Sequence, residues 1–192
     1  MAQPLFDKKY SDRLHTYGSV MWDFIKDKLG NDIGVVVELG SYEGHWASGL
    51  LNNINIGKLF SIDIWPKERD FVQFCGRWFE NVGDHAFENA FPLRGETLEW
   101  VHVLPQKEFV DLLFVDACHK RNAVIEDLTA WYPRVYDGGL ILMHDAVRGK
   151  RKDGVYNAVN IFFRDKKEKP RIAKLGPRVG FPSFWIIKGD AN

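Results

Sequence analysis

Four short apolar runs punctuate the chain, Val35 to Leu39, Leu59 to Ile62, Leu112 to Val115 and Leu140 to Met143, each bounded by polar residues or glycine. Runs this short, rich in β-branched and aromatic residues, read as parallel strands buried on both faces. Between them lie stretches with helical spacing: Gly44 to Asn52, Asp70 to Val82 and Asn122 to Tyr132. In the last, Ala123, Val124, Leu128 and Trp131 form one apolar stripe. A helix near Asp12 to Leu29 is expected before the first strand, with Val20, Phe24 and Leu29 facing the sheet and Gly30 stopping it. After a helix around Val155 to Arg164, the segments Arg171 to Leu175 and Ser183 to Ile187 are strand-like and joined by GPRVGFP, too short for a crossover helix. They are expected to pair antiparallel at the sheet edge. Strands alternating with helices imply a doubly wound α/β sheet, with any ligand at the carboxyl ends of its strands near the switch point.

Composition limits the alternatives. A chain of 192 residues with 45% hydrophobic residues has the length of one domain, residues 1–192, whose first 30 residues would form a helical cap. Its 26 basic and 26 acidic residues cancel, which argues against a dedicated nucleic-acid binder. Cys75 and Cys118 are too few for a disulfide framework or a cysteine-built zinc site. With no signal-like or membrane-spanning apolar run, a soluble cytoplasmic protein is expected, with no membrane partner. From Arg148 to Arg178 there are 11 basic and 3 acidic residues. That excess reads either as a solvated helix end and loop or as a contact for an anionic substrate.

The residues just after the strands carry the chemistry: Glu38 to Gly44, Asp63 to Trp65, Asp116 to His119, and His144 with Asp145. In VVVELGSYEG, Gly40 and Gly44 permit a tight turn and a close approach of ligand to backbone at a helix N-terminus. Asp63, 25 residues after Glu38, sits where a carboxylate can accept both hydroxyl hydrogens of a ribose. The glycine pattern is not GxGxxG, which argues against a nicotinamide dinucleotide.

The spacing ExGxxxG resembles motif I of class I S-adenosylmethionine-dependent methyltransferases, and SIDIW resembles their second acidic motif. The tract VDLLFVDACHKRNAVIEDLTAWYPRVYDGGLILMHDA resembles the fourth and fifth strand region of the methyltransferase family 24 group and of metal-dependent catechol-type and macrocin-type O-methyltransferases. The resemblance runs from about Gly18 to Ile187. It implies a Rossmann-like methyltransferase fold with a mostly parallel seven-stranded sheet and an antiparallel C-terminal pair. S-adenosylmethionine is the implied cofactor, contacted by Glu38, Gly40, Ser41, Tyr42, Gly44, Asp63, Ile64, Trp65, Glu96 and Asp116. Trp65 would cover the adenine, Tyr42 would border the methionine end and Glu96 would lie near the adenine ring. A divalent cation, Mg²⁺ or Ca²⁺, is implied on Asp116 and Asp145, with His119 as general base and His144 open.

The chemistry is coherent without the family. Carboxylate oxygens suit Mg²⁺ or Ca²⁺, whose open positions a substrate hydroxyl can fill, and an imidazole titrates near neutral pH. Bland alternatives stand beside each residue: Asp116 as a turn cap, Asp145 paired with Arg148, Cys118 as a small buried residue. The expected activity is methyl transfer to a hydroxyl of a small sugar-like or catechol-like molecule. A nicotinamide-dependent oxidoreductase, a cofactor-binding module without turnover and a nucleic-acid methylase are the competing readings. The last lacks the Asn/Asp-Pro-Pro-aromatic motif, since its position reads DACH. The 14% aromatic content leaves material for a homodimer interface. Gly149 and Gly154 flank a loop, AVRGKRKDG, expected to move, and its Arg148, Lys150, Arg151 and Lys152 could hold an anionic group.

Overall fold

Every apolar run becomes a strand. In the computed structural model, which describes residues 5–6, 17–65, 71–105, 107, 109–146, 153–175 and 182–191, the parallel strands are β2 (Asp32–Leu39), β3 (Asn55–Asp63), β4 (Ala90–Arg94), β5 (Val110–Val115) and β6 (Val135–Met143). Two C-terminal strands follow, β7 (Arg171–Ala173) and β8 (Ser183–Ile187). β8 pairs antiparallel with both β6 and β7. A two-residue strand, β1 (Leu5–Phe6), pairs in parallel with β7 and extends the expected seven strands to the order β1-β7-β8-β6-β5-β2-β3-β4. Two residues of backbone pairing have no periodicity, so the sequence carries no sign of β1.

The strands begin earlier than their apolar runs because polar residues extend the pairing. Asn55 donates to Asp32 Oδ1 at 2.7 Å, and the Val35 N–H donates to Asp111 Oδ2 at 2.7 Å. Helix α1 (Tyr17–Leu29) ends as expected at Gly30, which sits at φ 85° and donates its N–H to Lys26 O at 2.9 Å. Helices α2 (His45–Leu51), α3 (Gly76–Val82), α4 (Thr97–Val103), α5 (Arg121–Trp131) and α6 (Asp153–Phe162) follow. A π-helical turn, Phe71–Cys75, leads into α3 where the spacing predicts one continuous α-helix.

Side chains alternate across the sheet and build two cores. Val36, Leu112, Phe114 and Leu142 pack with α1, α2 and α3, whereas Val37, Leu113, Val115 and Met143 pack with α4, α5 and α6. Trp78 and Trp131 are fully buried, one in each core. The chain runs outward through β2, β3 and β4, then returns to β5 beside β2, so the switch point lies between β2 and β5. Among the described residues no helix is long and apolar enough to cross a membrane. The start of the expected N-terminal helix (12–16), most of the loop 147–152 with its basic side chains, and residues 176–181 lie outside the described residues.

Candidate active site

The switch point opens into a cavity of about 540 Å³, within the range of small-molecule sites. Glu38, Gly40, Ser41, Tyr42, Asp63, Ile64, Glu96 and Asp116 all line it, as the sequence suggests. Gly44 and Trp65 do not. Gly44 adopts φ 75° beneath the Trp78 ring, where a Cβ would approach ring carbons to 2.6 Å, so it shapes the loop from behind. Trp65 is 1% exposed and packs in the core, its indole N–H donating to Tyr42 O at 2.7 Å. The expectation that Trp65 covers a ligand is therefore corrected. Its apolar area is worth more in the core than at a cavity wall, and its single donor is satisfied there.

Asp63 organises the glycine loop. Its Oδ2 accepts the Ser41 and Tyr42 N–H groups at 3.0 and 2.8 Å, and its Oδ1 accepts the Trp65 N–H at 2.9 Å. An ionised carboxylate has about four acceptor sites, so room for one further donor remains. Tyr42, at φ 50°, is 54% exposed and packs tilted against Phe74, with 4.6 Å between centroids and 36° between ring planes. Gly40, at φ 86°, passes so close to the end of β5 that a Cβ would lie 2.5 Å from Asp116 O.

Glu38 is 1% exposed. Ser61 donates to its Oε2 at 2.7 Å, while Oε1 has no hydrogen-bond partner. Burial pushes its carboxyl up to about 7, against the pull of the Ser41 and Ser61 hydroxyls and with help from the charges of Asp116 and Asp63. The cavity wall as a whole is acidic. Glu38, Glu43, Asp63, Glu96, Asp116, Glu126 and Asp127 line it, and no Lys or Arg does among the described residues. Such a wall fits a cationic ligand.

A second cluster meets the cavity at Asp116. His119 Nε2 lies 3.0 Å from Asp116 Oδ1, and its Nδ1 lies 3.3 Å from Asp145 Oδ2. His144 Nδ1 is 3.2 Å from Asp116 Oδ1 and 3.6 Å from Asp145 Oδ1. Adjacent strands enforce the convergence, since β5 and β6 run in parallel register to Val115 and Met143 and both loops start at one edge. Burial pushes Asp116 up, but the hydrogen bonds from His119 and His144 outweigh it and hold the carboxyl below its ordinary range. For His144, burial lowers the pKa, and contact with Asp116 and the Asp145 charge reverse the sign and raise it. Asp145 adopts φ 56°, a left-handed conformation that Asp tolerates, and its buried Oδ1 accepts no hydrogen bond. Among the described residues no group of three or more His, Cys, Asp and Glu forms a ready metal-holding set.

Several contributors escape the sequence reading. Trp46 and Phe114, stacked at 4.2 Å with ring planes 1° apart, form part of the cavity wall. Asp127, from α5, lines it too. A carboxylate on the stripe of Val124, Leu128 and Trp131 is a signal visible in the sequence. Cys118, expected to be buried, is exposed on the cavity wall, because the turn after β5 leaves the sheet there. Gly154, expected to flank a moving loop, lies in the first turn of α6 against the His119 segment, where a Cβ would run into the His119 carbonyl oxygen.

The chain is 27% identical over 175 residues to an uncharacterised protein of Acanthamoeba polyphaga mimivirus, covering 86% of this chain and 73% of the relative. An O-methyltransferase from Bacillus cereus, solved with S-adenosylhomocysteine, superposes with a TM-score of 0.68 at 13% identity, covering 89% of this chain and 80% of that one. An rRNA methylase from Streptococcus thermophilus superposes with a TM-score of 0.67 at 16% identity, covering 92% and 98%. At such identities the likeness is one of fold, and the fold is the Rossmann-like methyltransferase fold. Residues 37–146, more than half of the chain and the span that carries Glu38, the glycine loop, Asp63, Asp116, His119 and Asp145, match the family model described as a methyltransferase domain, Methyltransf_24, and the chain belongs to that family.

Proposed function

We propose that the protein uses S-adenosylmethionine to methylate a hydroxyl oxygen of a small polar molecule, sugar-like or catechol-like. The observation that carries this reading is the meeting of two sites at Asp116: an acid-walled cavity and a His-Asp cluster on the neighbouring strand end. S-adenosylmethionine carries a sulfonium and an ammonium, which suit a wall with no Lys or Arg among the described residues, and Glu38 Oε1, which accepts no hydrogen bond, offers a buried partner for positive charge. When bound, the cofactor supplies an activated methyl group. The chain's task is to align an oxygen with it and remove that oxygen's proton.

His119 is the proposed proton acceptor. Both of its ring nitrogens approach carboxylates, Asp116 and Asp145, and one must release its carboxylate to receive a proton from substrate. The two carboxylates then stabilise the imidazolium so formed, and general-base catalysis of this kind is worth about 10² to 10⁴ in rate. Asp116 and Asp145 also form a donor set that suits Mg²⁺, which commonly takes only one or two carboxylates and fills its remaining positions with water and substrate oxygens. Asp145 Oδ1, which accepts no hydrogen bond, is consistent with that. A cation there would lower the pKa of a coordinated hydroxyl.

The test is a calorimetric titration with S-adenosylhomocysteine, with nicotinamide dinucleotide as competitor, followed by a screen of catechols and sugars with and without Mg²⁺. Micromolar binding of S-adenosylhomocysteine and metal-stimulated methylation of a hydroxyl support the reading. Binding of the dinucleotide instead overturns it.

A further inference from the structure

One part of the cavity wall is built by the loop after β4, the start of α4 and α5. Ile64, Leu98 and Ala123 give it apolar faces. Glu96 caps α4: its side chain accepts the N–H of Glu99, and its own N–H donates back to Glu99 Oε2 at 3.1 Å. Asp127 is 4% exposed and belongs to the same wall. Its Oδ1 accepts the Thr97 hydroxyl, and Thr97 is itself held by the Trp131 indole N–H, which donates to Thr97 O at 3.2 Å. Asp127 is thus fixed between two helices with no Lys or Arg beside it on the cavity wall among the described residues. A buried carboxylate is costly unless donors reach it, and a single hydroxyl is a small compensation. Apolar faces with one acidic acceptor at the edge suit a flat heteroaromatic ring bearing an amino group.

We propose that Asp127 reads the base of the cofactor, its carboxylate accepting a hydrogen bond from the exocyclic amino group of adenine between faces supplied by Ile64, Leu98 and Ala123. The inference rests on the cofactor reading above and assigns base recognition to α5 in place of Glu96. Burial raises the Asp127 carboxyl to about 6, against the Thr97 hydrogen bond and with the charges of Glu126 and Glu96 adding to the rise, so it is largely ionised at neutral pH and accepts hydrogen bonds.

The experiment is calorimetric binding of S-adenosylhomocysteine and of its 6-unsubstituted purine analogue to the full chain, wild type and variants, with melting temperatures as a check on folding. Wild-type protein should bind the 6-amino ligand ten- to hundredfold more tightly, the range for a hydrogen bond to a charged group. Asp127→Ala should bind both ligands alike, and Glu96→Gln should keep the wild-type preference. A wild-type ratio within twofold, or a ratio in Asp127→Ala equal to wild type, overturns the assignment. If the alanine variant does not fold, Asp127→Asn keeps the volume and loses the charge; its ratio should fall at least threefold, and an unchanged ratio overturns the assignment. Wild-type protein that binds neither ligand overturns the cofactor reading and this inference together, an outcome distinct from tight binding without discrimination.

Discussion

The Ser61 hydroxyl donates to Glu38 Oε2 at 2.7 Å across two adjacent parallel strands, and leaves the buried Oε1 without a hydrogen bond. A carboxylate in this position favours its proton until a cation arrives. Its folded pKa of about 7 lies above the ordinary glutamate value of 4.5, so the folded chain binds more protons than the unfolded chain between those values. Stability therefore falls as pH rises through that window, by about 3 kcal/mol from this group. Glu38→Gln should melt higher than wild type at pH 8, with the advantage shrinking towards pH 5, as followed by thermal denaturation across pH. S-adenosylmethionine binding near pH 6.5 should release a proton, seen as a binding enthalpy that depends on the buffer.

Removing the imidazole tests the reaction centre. His119→Ala should lower kcat by about 10² to 10⁴ while leaving S-adenosylhomocysteine affinity within a few-fold of wild type, since His119 lies beside the cavity rather than on its wall. Single-turnover kinetics with calorimetry separates the two effects. Parallel loss of both would assign His119 to structure.

Chelation should abolish turnover and Mg²⁺ should restore it, with Asp145→Asn weakening the Mg²⁺ dependence at least tenfold. Wild-type turnover indifferent to chelators would reassign Asp116 and Asp145 to holding the two histidines.

Asp63→Ala removes the acceptor of three loop N–H groups, so it should act on stability and binding together. The expected cost is about 2 to 4 kcal/mol in unfolding free energy, from denaturant titration, together with loss of detectable cofactor binding.

Gly154→Ala probes a contact that no motif announces. The new methyl would meet the His119 carbonyl, costing about 1 to 3 kcal/mol of stability and displacing the segment that carries the proposed base. Turnover should fall while the affinity for S-adenosylhomocysteine holds.

Much of this molecule was legible in its sequence because strand-length apolar runs have few other uses. The runs at Val35, Leu59, Leu112 and Leu140 had to be buried on both faces, which fixes helices above and below and brings the residues after the strands to one edge. Glu38, Asp63, Asp116 and Asp145 were therefore readable as one set in the sequence. Tertiary structure alone decided what each contacts. Trp65 follows a strand end like the others, yet the chain turns it inward, because a large apolar ring with one donor gains more from the core and the Tyr42 carbonyl than from a wet wall. Asp127 lies on an apolar stripe and reaches the cavity only because α5 packs against the start of α4. Glu96 stands at a strand end and caps a helix. Periodicity reports which face of an element is buried; it does not report what that face meets, which depends on neighbours distant in the chain.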